Sequence, residues 1–401
     1  MKVFNKKGFA ALAAAALLAA ACGGATETTG KTLTIGISLP LSGSSLASAG
    51  PARDGALLAV KETSIDGYTI ETKILDHAVD GVHNPAQAAT DLTTLVGDDT
   101  VVAVVGPFNS SSAKAQIPVS SEAGLAQCSP SNTNPDLTKG EAGAALRGGR
   151  PVNYVRVAAT DDFQGPAVAV YAKSRGKSKV YILDSTDTYG AGIADAFEAE
   201  FEAGGGTVLG REGAPAGTTD FTAIVTAALA LGPDAFFYGG VTADGAGLFR
   251  KAIEQAGGGD IEFYAGDGIQ DGTGEGSYIA IAGAAAAKSF SSVAAIENIP
   301  DKAGFAAKYE AEYGEAPGAY SAAGYACVQV VLDAITRAAA AGEVTRETVR
   351  AAVVDTAVTY STVLGDLSFD EVGDTSQKVI SLYEVVDGNW KFVEQVDYAT
   401  K

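Results

Sequence analysis

From Thr32 onward, short runs of β-branched and other apolar residues alternate with Ala-rich amphipathic segments: "TLTIGISL", "GPARDGALLAVKE", "YTIETKILD", "PAQAATDLTTLV", "VVAVVG" and "SAKAQIPVSSEA". Strand–helix–strand order with apolar runs of four to eight residues predicts an α/β fold in which helices cover both faces of a parallel sheet. The pattern then restarts. "SKVYILDS" reads as a strand, "YGAGIADAFEAEFEAGG" and "TTDFTAIVTAALALG" as helices, "PDAFFYGG" as a strand and "TADGAGLFRKAIEQAGGG" as a helix with a glycine stop. "VVAVVGPFNSSSAKA" and "DAFFYGGVTADGAGL" share one local order of strand, glycine, polar loop and helix. Two similar units in one chain predict a cleft between them. A chain of 401 residues with 47% hydrophobic content has material for two or three domains. In the C-terminal third, "FAAKYEAEYG" and "YSAAGYACVQVVLDAITRAAAAG" read as helices and only short strands follow. These pieces most simply complete the two lobes, which requires several crossings between them.

The first residues stand apart. "MKVFNKK" carries Lys2, Lys6 and Lys7 and leads into "GFAALAAAALLAAAC", an apolar run too short and Ala-rich to span a bilayer comfortably. Residues 1–21 read as an export signal. Three alanines stand before Cys22, which resembles the lipobox of bacterial lipoproteins, in which that cysteine becomes the lipid-modified first residue. The position three before it is Ala19 where the pattern prefers Leu, with Leu18 one place earlier. An ordinary signal peptide with an incidental cysteine is the alternative. Residues 22–31 then form a tether of small and polar residues. Removing 1–21 takes three lysines and no acid, so the remainder is more acidic than the formal −20 of the whole chain. Such acidity argues against nucleic acid and against adsorption to anionic lipid.

Enzymatic constellations are missing. His77 and His83, the only histidines, are six residues apart with no cysteine beside them, which matches no usual zinc spacing. They read as residues of a solvated loop. No G-x-S-x-G surrounds any serine, "GAGIAD" lacks the third glycine of a dinucleotide fingerprint, and no phosphate-binding G-x-x-x-x-G-K-[ST] occurs. What remains is a set of polar residues at the carboxyl ends of strands, where doubly wound sheets bind ligands. Ser110, Ser111 and Ser112 open a helix, so hydroxyls and free N–H groups there can meet an anion while one serine caps the helix. Ser131, Asn132 and Thr133 follow the apparent strand "GLAQCS" in the same lobe. In the other lobe Tyr189 sits at a strand-to-helix turn, and Asp267 lies between Gly266 and Gly268, where little steric cover lets a carboxylate meet a cation closely. Cys128 and Cys327, in a compartment where disulfides persist, are either bonded or two buried thiols.

In order and spacing these segments resemble the type I periplasmic binding proteins, specifically the leucine/isoleucine/valine-binding group that delivers amino acids to ABC transporters. The resemblance runs from "IGISLPLSG" through "GPFNSSSAKAQIPVSSEAGL", "SPSNTNPDLT", "ATDDFQGPAVAVYA", "DSTDTYGAGIADAF" and "FYAGDGIQD" to "YACVQVVLDAI". It implies two Rossmann-like lobes joined by three crossovers that close on a ligand by hinge motion. The lobes are expected at 32–154 with 288–364, and at 155–287 with 365–401. It further implies that Ser110 binds the ligand carboxylate, that Ser131 and Thr133 hold its carboxylate and ammonium, that Tyr189 contacts it, and that Asp267 pairs with the ammonium. Phe108 and Asn109 flank the serine loop. Where the family has Glu the chain has Asp267, and where it has aromatic walls the chain has Val241 and, in the first loop, the neighbourhood of Ser48. The family's short disulfide is absent, with Val79 and Asn109 at its places, and the assignment of Cys128 and Cys327 to one lobe favours a replacement bond. The resemblance implies an amino acid or similar carboxylate as ligand and an ABC permease as partner. A lipid at Cys22 would hold the protein to a bacterial membrane. No catalysis, cofactor or metal is expected, and the protein is expected to be a monomer. The other reading is a sensor of the same fold, for amides or small carboxylates, acting through a membrane receptor.

Overall fold

The computed structural model describes residues 30–399; the expected leader at 1–21, Cys22 and most of the tether lie outside the described residues. Strand Lys31–Leu39 pairs in parallel with Tyr68–Asp76 on one side and Val101–Val105 on the other, and Ala126–Ser129 and Tyr154–Arg156 extend the sheet. Every residue of Val101–Val105 is buried. Val102, Ala103 and Val105 join one core with Ala52 and Ala56 of helix Leu46–Glu62 and Val330 and Val331 of helix Ser321–Ala341. Val101 and Val104 face the opposite core with Leu92 and Leu95 of helix Pro85–Val96. Burial on both faces is why this run carries no polar residue.

The second sheet obeys the same rule. Its strands lie in the order Asn389–Asp397, Val379–Val386, Ser289–Val293, Glu262–Ala265, Ala235–Gly239, Lys179–Asp184, Thr207–Gly213. Val379–Val386 pairs antiparallel with both of its neighbours, and the remaining pairings are parallel. Successive residues alternate between cores. Val180, Ile182 and Phe237 face helices Asp161–Ser174 and Thr188–Ala203, whereas Tyr181, Leu183, Phe236 and Tyr238 face helix Ala246–Ile253. Phe237 stacks on Phe197 at 3.9 Å between ring centroids, and full burial of such a side chain is worth about 1.5–3 kcal/mol.

The chain passes between cores three times: after Val157, between Ala294 and Ile296, and between Phe369 and Ile380. These crossings correct the expected boundaries. Ser289–Val293 pairs with Glu262–Ala265 and Val379–Val386, so the return to the first lobe begins after it and not at 288. Leu367 and Phe369 still pack in the first core, so 365 is also too early, as is 155, since Val155 and Val157 belong to that core. The terminal strands are longer than expected: Val379–Val386 and Asn389–Asp397 form an antiparallel pair of 8 and 9 residues at the edge of the second sheet. In the first core Cys128 and Cys327 are joined in a disulfide, with 5.5 Å between their Cα atoms.

Candidate functional site

At the carboxyl end of Val101–Val105 the chain turns through Gly106, whose φ is +119°. A Cβ there would collide with the Ser38 carbonyl oxygen, so glycine alone fits the turn. Phe108 and Asn109 follow, and Ser110 opens helix Ser110–Glu122. Its buried hydroxyl accepts from the Asn134 N–H at 3.4 Å. The unpaired N–H groups of the first turn and the helix dipole make this end suited to an anion. Asn109, the N-cap residue, makes no side-chain cap, and its Oδ1 is buried without a partner.

The 131–138 loop is tied to this turn. Ser131 Oγ and Asn132 Nδ2 both donate to the Phe108 carbonyl at 2.6 Å, and Tyr154 OH donates to Asn132 Oδ1 at 2.7 Å. Beneath it the fully buried Arg156 donates to the Asn134 carbonyl at 2.7 Å, to Thr138 Oγ1 at 2.6 Å and to Asp374 Oδ1 at 2.8 Å. The loop is therefore preorganised by hydrogen bonds that no ligand supplies.

Across the cleft, Asp267 follows strand Glu262–Ala265. Its Oδ1 accepts from Tyr189 OH at 2.8 Å and Gln164 Nε2 at 2.9 Å, and its Oδ2 from Tyr320 OH at 3.0 Å. Tyr320 belongs to the first lobe and so bridges the two; its ring also packs edge-on against Phe108 at 4.7 Å. A side chain at Gly266 would strike the Tyr189 hydroxyl, which explains the glycine beside the acid. Burial raises the pKa of Asp267, against the three hydrogen bonds that lower it. Asp161, bonded through Gln164 Nε2 at 3.0 Å, is pushed up to about 8 by burial and then by the charge of Asp267. Two buried carboxylates thus share one neighbourhood, and a cation would relieve both.

Between the lobes lie two small, nearly filled voids that share Phe108, Asn109, Val241, Asp267, Gly268 and Tyr320 as walls. The first extends toward Pro40, Ser45, Ser48 and Ala243. The second extends toward Ser110, Ser131 and Tyr189. Of the residues singled out from sequence, these voids gather Ser110, Ser131, Tyr189, Asp267, Phe108, Asn109, Val241 and Ser48. Thr133 is different: it is buried, lines neither void, gives its carbonyl to the Asp161 N–H at 2.8 Å, and its hydroxyl has no partner. Sequence reading missed Tyr320, Gln164 and Asp161. The last two lie in "ATDDFQGPAV", a segment quoted above without roles, and no local motif marks Tyr320.

The solvated-loop reading of the histidines is overturned. His77 is fully buried, with Nδ1 3.1 Å from Ser38 Oγ, and burial, then the neighbouring His83, lowers its pKa to about 3. His83 ends the hairpin formed by Ala78–Val79 and Val82–His83, and its Nε2 reaches across the cleft to within 3.4 Å of Asp187 Oδ2. The second lobe covers what the first lobe's own sequence leaves open.

A family model described as periplasmic binding protein matches residues 32–389. The Leu/Ile/Val-binding protein BraC3 of Rhizobium johnstonii is 30% identical over 354 residues, which cover 88% of this chain and 91% of that protein. Among solved structures, a leucine binding protein of Thermotoga maritima superposes with a TM-score of 0.80 at 26% identity, covering 92% of this chain and 100% of that one. The branched-chain amino acid transporter substrate binding protein of Streptococcus pneumoniae, in complex with isoleucine, gives 0.78 at 27% identity with the same coverage. Two doubly wound lobes, three crossings, an interlobe cleft and these matches together establish that the chain belongs to the periplasmic binding proteins of type I, in the Leu/Ile/Val-binding family.

Proposed function

We propose that the protein captures a branched-chain or related amino acid between its lobes, outside the cytoplasm, and presents the closed form to an ABC permease. One observation carries this reading: a helix N-terminus with Ser110 and Ser131 on one lobe and the buried Asp267 on the other bound the same void. A zwitterion matches that polarity, with its carboxylate at the helix and its ammonium at Asp267, while Phe108, Val241 and Tyr320 wall its side chain. No bond is made or broken; the work is differential affinity for the closed over the open state. The relatives named as Leu/Ile/Val-binding support the ligand class.

The protein acts as a monomer, held to the membrane by a lipid on Cys22; Cys22→Ser would release it into the soluble fraction. The ligand class is tested by thermal shift against amino acids, amides and small carboxylates. A ligand at 100 times its dissociation constant adds about 2.7 kcal/mol of stability. Leucine, isoleucine or valine raising the melting temperature, with the rise lost in Ser110→Ala and Asp267→Asn, is the expected result. A rise only with uncharged compounds would remove Asp267 from the ammonium role.

A further inference from the structure

A cavity of about 400 Å³ lies beside the second crossing and shares no wall residue with either of the voids around Asp267. That is the size of a small-molecule site. Phe305, Ala323 and Leu364 of the first lobe face Val293 and Trp390 of the second across it, with Ala295 and Ile296 of the crossing between them. Each lobe thus contributes aromatic wall. The two charged residues that line it cancel, because Glu297 accepts from Lys302 Nζ and also from Tyr383 OH. Gln270 is left over. It closes the short turn Asp267–Ile269, is 9% exposed, lines the cavity, and its side-chain amide meets no partner among the described residues. A carboxamide so buried and unpaired has donors and an acceptor to give to an occupant.

We infer that this cavity is a second ligand site, taking a small neutral aromatic carboxamide that pairs with Gln270 amide to amide. The ligand N–H donates to Gln270 Oε1 while Gln270 Nε2 donates to the ligand carbonyl, so both ends of the side chain are used. A carboxylate of the same shape offers acceptors only and brings a charge that the wall does not neutralise. A hydrocarbon leaves both ends of Gln270 unpaired. The ligand ring lies against Phe305 and Trp390. Because the walls come from both lobes, parting the lobes pulls apart the surfaces that the ligand joins, and an occupied cavity favours the closed form. Gln270 also ties the cavity to the cleft, its backbone N–H donating to the Asp267 carbonyl at 3.0 Å. That coupling rests on the amino-acid reading above; the site itself does not.

Trp390 is the one tryptophan of the chain, so its emission reads the occupancy of this cavity directly. Benzamide and benzoate share a shape and differ in donor and charge. Titrated into the unaltered protein, benzamide should change the Trp390 emission saturably and bind about 10-fold or more tightly than benzoate. Gln270→Leu should weaken benzamide about 10-fold. Ala306→Phe, which fills the cavity from helix Lys302–Tyr313, should abolish its binding. Saturating leucine should tighten benzamide about 5-fold, and benzamide should tighten leucine by the same factor. An absent or unsaturable response, benzoate binding as tightly as benzamide, or unchanged benzamide binding in Ala306→Phe overturns the site. Displacement of benzamide by leucine also overturns it, by placing the amide in the cleft before Asp267. Leucine that binds but leaves benzamide affinity unaltered overturns the coupling. If leucine, isoleucine and valine all fail to bind, the amino-acid reading and the coupling fall together and the site stands. Should a variant not fold, the ratio of benzamide to benzoate and the leucine titration decide.

Discussion

The cross-cleft pair of His83 and Asp187 predicts that ligand affinity weakens as pH rises. His83 is 8% exposed, and the groups facing it are Asp187, Asp244 and His77. Burial lowers its pKa, but hydrogen bonding to Asp187 and the charges of Asp244 and Asp187 outweigh this, and the net shift is upward from 6.5. His77 is held neutral, so His83 is the one charged histidine. If the lobes part, His83 leaves Asp187 and its pKa returns toward 6.5. A group whose pKa is raised in the closed form stabilises that form fully below 6.5 and loses the contribution as pH rises through the raised value. Asp244, raised to about 6 chiefly by burial, acts in the same direction, because its ionisation above that pH is penalised in the closed form. A hydrogen bond to a charged group contributes about 1.5–3 kcal/mol. The pair is 3.4 Å long and Asp187 keeps some solvent contact, so the low end applies, about 1.5 kcal/mol or roughly 10-fold in affinity. Titrating the unaltered protein and His83→Gln with the same ligand from pH 5.5 to 9 tests this. The variant should bind roughly 10-fold more weakly at pH 6, and the gap should close toward pH 9. Asp161 and Asp267 also titrate upward, but they are common to both proteins and cancel in the comparison. Identical profiles, or a gap independent of pH, would refute the charged latch.

Three further outcomes follow from the packing. Asp374→Ala strips the buried Arg156 of its carboxylate and should cost about 3–5 kcal/mol in urea unfolding, with loss of ligand binding because the 131–138 loop loses its support. Phe237→Ala, deep in the second lobe and stacked on Phe197, should cost about 3–5 kcal/mol. Reduction should raise the mass by two hydrogens, and the Cys128→Ser, Cys327→Ser double variant should lose about 2–5 kcal/mol; two freely reactive thiols in the oxidised protein would contradict the bond.

Which of these features could be read from sequence depended on how far apart in the chain the interacting groups lie. Val101–Val105 and Ala235–Gly239 were legible because two-sided burial writes an unbroken apolar run. Ser110 and Asp267 were legible for a related reason: a strand, a glycine and a polar residue mark the end of the sheet where ligands bind. Ser289–Val293 was not, since three of its five residues are serines. Each serine is buried and satisfied by a distant partner: Ser289 by Tyr278, Ser291 by the Gly266 carbonyl and Ser292 by Gln164. Polar residues that pair with one another look like loop until the partners are known, and for that reason the expected lobe boundary at 288 fell too early.

The same argument explains the site's hidden half. His83 and Asp187 are 104 positions apart, and Tyr320 reaches Asp267 over 53. Each pair joins lobes whose cores close independently of it, so neither residue leaves a periodic or compositional trace. A residue that serves only closure answers to the facing lobe, not to its own neighbours in sequence. Polar residues adjoining the cleft that break local expectation, such as a histidine in an apparent loop, are therefore where closure is built in this chain. On that logic His83 governs how tightly the lobes close.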